Sequence, residues 1–115
     1  QFVPGVQGGM PANNETLMFM FDQAKKILGN DIKYSTVGVG RKMFKLETLC
    51  ALNGGNVRVG MEDGLYIDPA GTLAKSNAQQ VEKIKSILEN LDFEVADSWE
   101  ARELLHLKGK DNFNF

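Results

Sequence analysis

Residues 56–63 read NVRVGMED, a short apolar run that ends on two adjacent carboxylates. Side chains alternate between the two faces of a strand, so the run predicts one apolar face and a second face that carries Arg58 and Glu62. Charged side chains on a covered sheet are costly unless they are paired or bound to a metal. Arg58, Glu62 and Asp63 are therefore the first candidates for a catalytic or metal-binding site.

The run belongs to the last of three successive strand–loop–helix units. Strands are predicted over residues 1–6, 32–39 and 56–63, and each is followed by a glycine-rich or acidic loop and a helical pattern. Strands that alternate with helices indicate a parallel α/β fold. Three units cannot close an eight-stranded barrel. The chain also begins within a predicted strand, so we expect it to be part of a larger protein.

The helix boundaries follow from local sequence signals. We expect the first helix to begin near Asn13 or Asn14 and to end at Gly29. A capping box formed by Ser76 and Gln79 predicts the start of a later helix. A short terminal helix is expected over residues 98–107, with Asp97 and Glu100 at its start.

Composition narrows the function. The chain has 115 residues and a formal net charge of -2, which favours neither nucleic acid nor an anionic membrane as a partner. Cys50 is the single cysteine, so no internal disulfide can form, which suits a cytoplasmic protein. His106 is the single histidine. A zinc site needs about three protein ligands, usually with histidines, so a zinc bound by Glu62 would require ligands from outside this chain.

Two kinds of interpretation remain open for the candidate residues. The glycine-rich loops, at Gly8 and Gly9 and at Gly40 and Arg41, are either tight turns or places where backbone approaches an anionic ligand such as a phosphate. The cluster at 58–63 is either a structural ion pair or a carboxylate metal ligand beside an arginine-assisted acid or base.

The segments around this cluster resemble the beta-keto acid cleavage enzymes, a family that includes the 3-keto-5-aminohexanoate cleavage enzymes. The resemblance covers almost the whole chain, in the family's order and spacing. Its segments are residues 2–6, 8–11, 38–41, 57–63, 65–66, 76–79 and 100–105.

The resemblance implies a zinc-dependent (β/α)8 TIM barrel that assembles as a homotetramer. Residues 1–115 would be the C-terminal part of its single domain, namely the last three βα units and a short terminal helix. It implies that Glu62 is a zinc ligand, with two histidines on an earlier strand outside this chain, and that Arg58 and Asp63 are catalytic. The glycine-rich loops would contact the substrate or CoA. Gly64 departs from the family, in which asparagine or serine is frequent.

The implied reaction converts a 3-keto acid and acetyl-CoA into acetoacetate and a new acyl-CoA, by Claisen-type condensation and retro-Claisen cleavage. Zinc would stabilise enolate charge, Asp63 would act as the base, and Arg58 would orient it. The alternatives are a non-catalytic α/β fragment or scaffold and another metal-dependent α/β-barrel lyase or aldolase. Several 3-keto acids fit the sequence equally well.

Overall fold

The computed structural model describes residues 1–109, so residues 110–115 of the predicted domain lie outside the described residues. Four α-helices are present in this part of the chain: α1 (Asn14–Leu28), α2 (Met43–Leu52), α3 (Asn77–Glu89) and α4 (Ser98–Leu104). A 3-10 helix at Gly40–Lys42 leads into α2. None of the helices in residues 1–109 combines the length and apolar character needed to cross a membrane.

The strands are parallel, as predicted, but short. Strand β1 (Ser35–Thr36) pairs in parallel with β2 (Asn56–Val57). Phe2 forms a parallel bridge with Thr36, so β1 lies between the amino-terminal segment and β2. The predicted α/β class and the order of strands and helices are therefore confirmed.

The predicted strand lengths were wrong. Residues 1–6 contribute one bridge, residues 32–39 contribute two strand residues, and the run at 56–63 leaves the sheet after Val57. Residues 61–63 form a turn instead of continuing a strand. An alternating apolar pattern is a property of one segment alone. A strand forms only where a neighbouring segment supplies hydrogen-bond partners, so the pattern does not determine strand length.

Local capping chemistry explains the helix ends. The Asn13 side chain accepts a hydrogen bond from the Thr16 N–H at 2.8 Å, and α1 ends before Gly29, whose φ of 91° suits glycine. Both predicted boundaries are confirmed.

The predicted starts of α3 and α4 are confirmed, but one predicted capping box and one predicted helix end are not. Ser76 caps α3, but the Gln79 side chain accepts from the Lys75 N–H and not from Ser76, so the predicted capping box is half formed. The capping box of Asp97 and Glu100 at α4 is complete. Helix α4 ends at Leu104, earlier than predicted, and two residues later His106 has a φ of 51°.

Helix α2 lies at the centre of the structure because it contributes to two hydrophobic clusters. The first cluster joins α1, the segment before β1 and α2, and its buried members are Leu17, Phe21, Tyr34, Leu46 and Cys50. The second joins α2 to α3, and its buried members are Met43, Phe44, Ala51, Ile84 and Leu88. This packing fixes α2 and α3 beside the segment that follows β2.

Candidate active site

The three candidate residues meet on a turn that follows β2. The N–H groups of Asp63 and Gly64 both donate to the Gly60 carbonyl, at 3.0 and 3.1 Å. Glu62 therefore approaches Arg58 because the chain folds back, and not because the two residues share a strand face. That part of the sequence prediction was wrong, although the grouping of the residues is what the structure has.

A single guanidinium nitrogen joins the cluster. Arg58 Nη2 lies 3.2 Å from Glu62 Oε1 and 3.2 Å from Asp63 Oδ2. The Asp63 side chain is 15% exposed, whereas those of Arg58 and Glu62 are 45% and 56% exposed. Asp63 Oδ2 accepts no hydrogen bond from residues 1–109, so its contact with Arg58 is ionic. The turn thus presents one sheltered carboxylate and one open carboxylate on either side of a cation.

The open carboxylate is held in its ionised form. The backbone N–H of Glu62 and the Arg58 guanidinium both lower the pKa of the Glu62 carboxyl below its usual value. An ionised carboxylate that remains accessible has the charge and the open position that a hard divalent cation requires.

Helix α3 holds this turn through two side chains. Asn77 Oδ1 accepts a hydrogen bond from the Met61 N–H at 2.8 Å. Gln80 is fully buried, and its Nε2 donates to the Gly64 carbonyl at 2.6 Å. Sequence reasoning missed Gln80. The available signal was a polar residue at the helical spacing of Ile84 and Leu88, on the apolar face of α3.

Two glycines of the turn are restricted by their surroundings. A Cβ at Gly60 would overlap the Glu62 carboxylate. A Cβ at Gly64, the position that departs from the family, would lie 3.0 Å from the Gly40 carbonyl oxygen and 3.4 Å from Met43 Sδ. Asparagine or serine at position 64 would therefore require the neighbouring loop to shift.

The loop at Gly40 contacts the turn directly, because its N–H donates to the Asp63 carbonyl at 3.0 Å. Gly40 has a φ of 80°, which explains why a glycine stands there. The Arg41 guanidinium lies 4.6 Å from the centre of the Tyr66 ring. The structure therefore joins Gly40, but not the Arg41 side chain, to the cluster.

The first glycine-rich loop lies farther along the same surface. Gly9 and Arg41 line a cleft of about 460 Å³, together with Lys42. Gly8 has a φ of 81° and no atom within 4 Å of where its Cβ would be. The turn interpretation thus accounts for Gly8, while Arg41 and Lys42 give the cleft a positive charge.

The described residues supply one suitable zinc ligand but not a complete zinc site. In residues 1–109 no group of three or more histidine, cysteine, aspartate or glutamate side chains comes together in a way that could hold a metal ion. His106 lines a cavity with Lys33, which precedes β1, so it lies toward the opposite end of the strands from Glu62. Glu62 is a suitable single carboxylate ligand, and any histidine ligands must come from outside this part of the chain.

A third carboxyl group, which the sequence analysis did not single out, lies beside the turn. Glu47 of α2 is fully buried, and its two oxygens accept hydrogen bonds from the N–H groups of Gly38 and Arg58, at 2.8 and 3.1 Å. Burial raises its pKa from 4.5 to about 8, the two hydrogen bonds oppose that shift, and the charge of Asp63 adds to it.

Comparison with known proteins agrees with the sequence resemblance. The family model of beta-keto acid cleavage enzymes matches residues 1–107. A 3,5-dioxohexanoate:acetyl-CoA acetone transferase from Paraburkholderia graminis is 44% identical over 115 residues, which cover 100% of this chain and 37% of the relative. A 3-keto-5-aminohexanoate cleavage enzyme from Fusobacterium nucleatum is 41% identical over 107 residues, which cover 93% of this chain and 37% of the relative.

A third relative, the 3-oxoadipate:acetyl-CoA acetyltransferase from Cupriavidus necator, is 34% identical over 107 residues, which cover 93% of this chain and 37% of the relative. The chain thus spans little more than a third of the length of these relatives. The family model, by contrast, covers nearly every residue, and this chain belongs to the family of beta-keto acid cleavage enzymes.

Proposed function

We propose that the protein containing this chain is a zinc-dependent enzyme that converts a 3-keto acid and acetyl-CoA into acetoacetate and a new acyl-CoA. The observation that carries the proposal is the turn after β2, where one arginine contacts a sheltered and an open carboxylate. Relatives named for acetyl-CoA-dependent transfer support the choice of substrates.

The proposal includes the architecture of the complete protein. Residues 1–115 form the C-terminal three βα units of a single (β/α)8 TIM-barrel domain, followed by a short helix. In such barrels the active site is built from the loops at the carboxyl ends of the strands, and the cluster follows β2 in this manner. The complete enzyme is a cytoplasmic homotetramer.

Glu62 is the zinc ligand of this chain, and two histidines from the preceding part of the protein complete the set. A zinc ion held there supplies Lewis-acid stabilisation of negative charge on the keto acid. The open position of the Glu62 carboxylate and its lowered pKa support this assignment.

Asp63 and Arg58 have different roles in the proton transfer. Asp63 removes a proton from C2 of the keto acid, and Arg58 holds the Asp63 carboxylate in position. The C2 carbanion then attacks the thioester carbonyl of acetyl-CoA, so that a carbon–carbon bond forms and the CoA thiolate leaves. The thiolate attacks the original C3 ketone, the C2–C3 bond breaks, and protonation of the released carbanion gives acetoacetate.

The glycine-rich loops are proposed to bind the anionic part of CoA. Arg41 and Lys42 line the cleft beside Gly9, so the positive charge needed for phosphates lies next to exposed backbone. Gly8 and Gly40 shape the two turns at this surface.

The test is acetoacetate formation by the complete protein from acetyl-CoA and a panel of 3-keto acids that differ beyond C3. Asp63→Asn should abolish turnover while zinc content, measured by elemental analysis, stays at the wild-type level. Glu82→Gln on the exposed face of α3 is the matched control and should leave the rate unchanged.

Two results would contradict the proposal. Cleavage of the keto acids without any need for acetyl-CoA would favour a metal-dependent lyase or aldolase. Wild-type kcat in the Asp63→Asn variant would move the base to another residue and leave Asp63 as a structural partner of Arg58.

A further inference from the structure

Glu47 holds the ends of two adjacent strands. It lies on α2 between Leu46 and Cys50, and none of its surface is exposed. Its Oε1 accepts from the Gly38 N–H, just beyond β1, and its Oε2 accepts from the Arg58 N–H, just beyond β2. One carboxyl group thus joins the carboxyl ends of both strands.

The carboxyl group of Glu47 lies where the ladder between β1 and β2 ends. The Asn56 N–H donates to the Tyr34 carbonyl at 2.8 Å. In a parallel ladder the next donor on the same side belongs to the residue two positions later, which is Arg58. The pairing of Thr36 with Val57 places the Arg58 N–H at the last position of this ladder, and this N–H also donates to Glu47 Oε2 at 3.1 Å. The carboxyl group thus holds the backbone of Arg58 where β2 ends.

Close packing of α2 makes these two hydrogen bonds possible. A Cβ at Gly38 would lie 3.0 Å from both Leu46 Cδ1 and the Met43 Cα. Such distances are tighter than ordinary contacts between side chains and backbone, so glycine at position 38 lets α2 approach closely enough for Glu47 to reach both donors.

A buried carboxyl group is a costly way to satisfy two backbone donors, because burial opposes its ionised form. The costly group acts on the backbone of the residue whose side chain contacts Glu62 and Asp63. The carboxyl group of Glu47 therefore acts on the cluster through the backbone of Arg58.

We propose that Glu47 is a positioning residue, which fixes the backbone of Arg58 so that its guanidinium meets Asp63 in the geometry required for proton transfer. This inference rests on the function proposed above. It predicts that Glu47 affects the reaction only through Arg58, and not through substrate binding or zinc binding.

The test is a double-mutant cycle in the complete zinc-loaded protein. Glu47→Gln keeps the size of the side chain but directs an amide N–H at one of the two backbone donors. We expect kcat to fall about 10- to 100-fold, as displaced catalytic groups typically cause, while KM and zinc content change less than about twofold. In an Arg58→Ala background the same change should alter kcat by less than about twofold.

A merely structural role gives a different pattern. In one such outcome, Glu47→Gln would lower stability and yield, but the folded fraction would keep the wild-type kcat. In the other, Glu47→Gln would lower kcat by the same factor in the Arg58→Ala background as in the wild type. Either result overturns the inference and leaves the proposed function intact. Absence of activity in the wild-type protein would instead overturn the proposed function.

A crystal structure of the variant decides the geometry independently of activity. The inference requires that Arg58 Nη2 move away from Asp63 Oδ2, which lies at 3.2 Å in the wild-type chain. An unchanged distance would refute it. If Glu47→Gln does not fold, Glu47→Asp provides the same tests, because its side chain retains the carboxyl group but is too short to reach both donors.

Discussion

Glu47 should make the stability of this protein fall as pH rises. Burial raises its pKa to about 8 in the folded chain, against an ordinary value of 4.5. The folded state therefore holds this proton more tightly than the unfolded state does. The resulting stabilisation is complete below pH 4.5 and is lost progressively as the pH rises through about 8.

The magnitude follows from the size of the shift. One pKa unit corresponds to about 1.4 kcal/mol, so the difference between 4.5 and about 8 amounts to about 5 kcal/mol of unfolding free energy. Because Glu47 has no exposed surface, solvent screening does not reduce this figure. The Glu47→Gln variant lacks the titrating group and should lack this slope.

The assay compares urea unfolding of the complete protein and the Glu47→Gln variant between about pH 5 and about pH 8. Both proteins are kept in chelator, since zinc binding has its own pH dependence. The stability difference between them should shift by several kcal/mol against the wild type as pH rises. A constant difference would refute the reasoning, because it would mean that Gly38 and Arg58 keep the carboxylate ionised despite its burial.

Four further predictions concern the cluster and the isolated chain. Glu62→Gln should lower zinc content measured by elemental analysis, and an unchanged content would remove Glu62 from the ligand set. Arg58→Lys should lose most of kcat with zinc retained, since an ammonium cannot reproduce a planar guanidinium contact; near-normal kcat would contradict its role. Gln80→Met should destabilise the protein by about 1–3 kcal/mol in urea unfolding, because it leaves the Gly64 carbonyl unpaired, and no loss would show that this bond is dispensable. Residues 1–115 alone should show no cooperative, monomeric thermal transition by circular dichroism, because large apolar side chains are exposed, such as Ile27 at 77%.

The helices could be predicted from the sequence because their signals are local. Asn13 and Gly29 mark the ends of α1 by side-chain capping and by a positive φ, and both operate within a few residues of the helix end. The strands could not be predicted in length. The backbone of residue 58, just beyond β2, is held by Glu47, eleven positions earlier, and no local pattern reveals that contact.

The sequence predicted which residues belong to the cluster, but not how they are arranged. Arg58, Glu62 and Asp63 stand out as charges beside an apolar run, and the family resemblance points to the same residues. The turn that gathers them depends on hydrogen bonds to the Gly60 carbonyl, which no alternation pattern reveals. Glu47 could have been found, since it falls at the i+4 position from Met43 on the buried face of α2.

The contacts around the turn suggest how the chain combines an accessible site with a fixed geometry. In the proposed site the turn is open so that Glu62 can meet a metal, yet an open turn has few apolar contacts to hold it. The two adjacent helices compensate with buried polar side chains. Glu47 of α2 fixes the turn where it leaves β2, and Gln80 of α3 fixes it at Gly64. Because both helices belong to the hydrophobic core, the position of the cluster is determined by the packing of α2 against α3. A substitution in that interface should therefore disturb the reaction without touching any residue that meets the substrate.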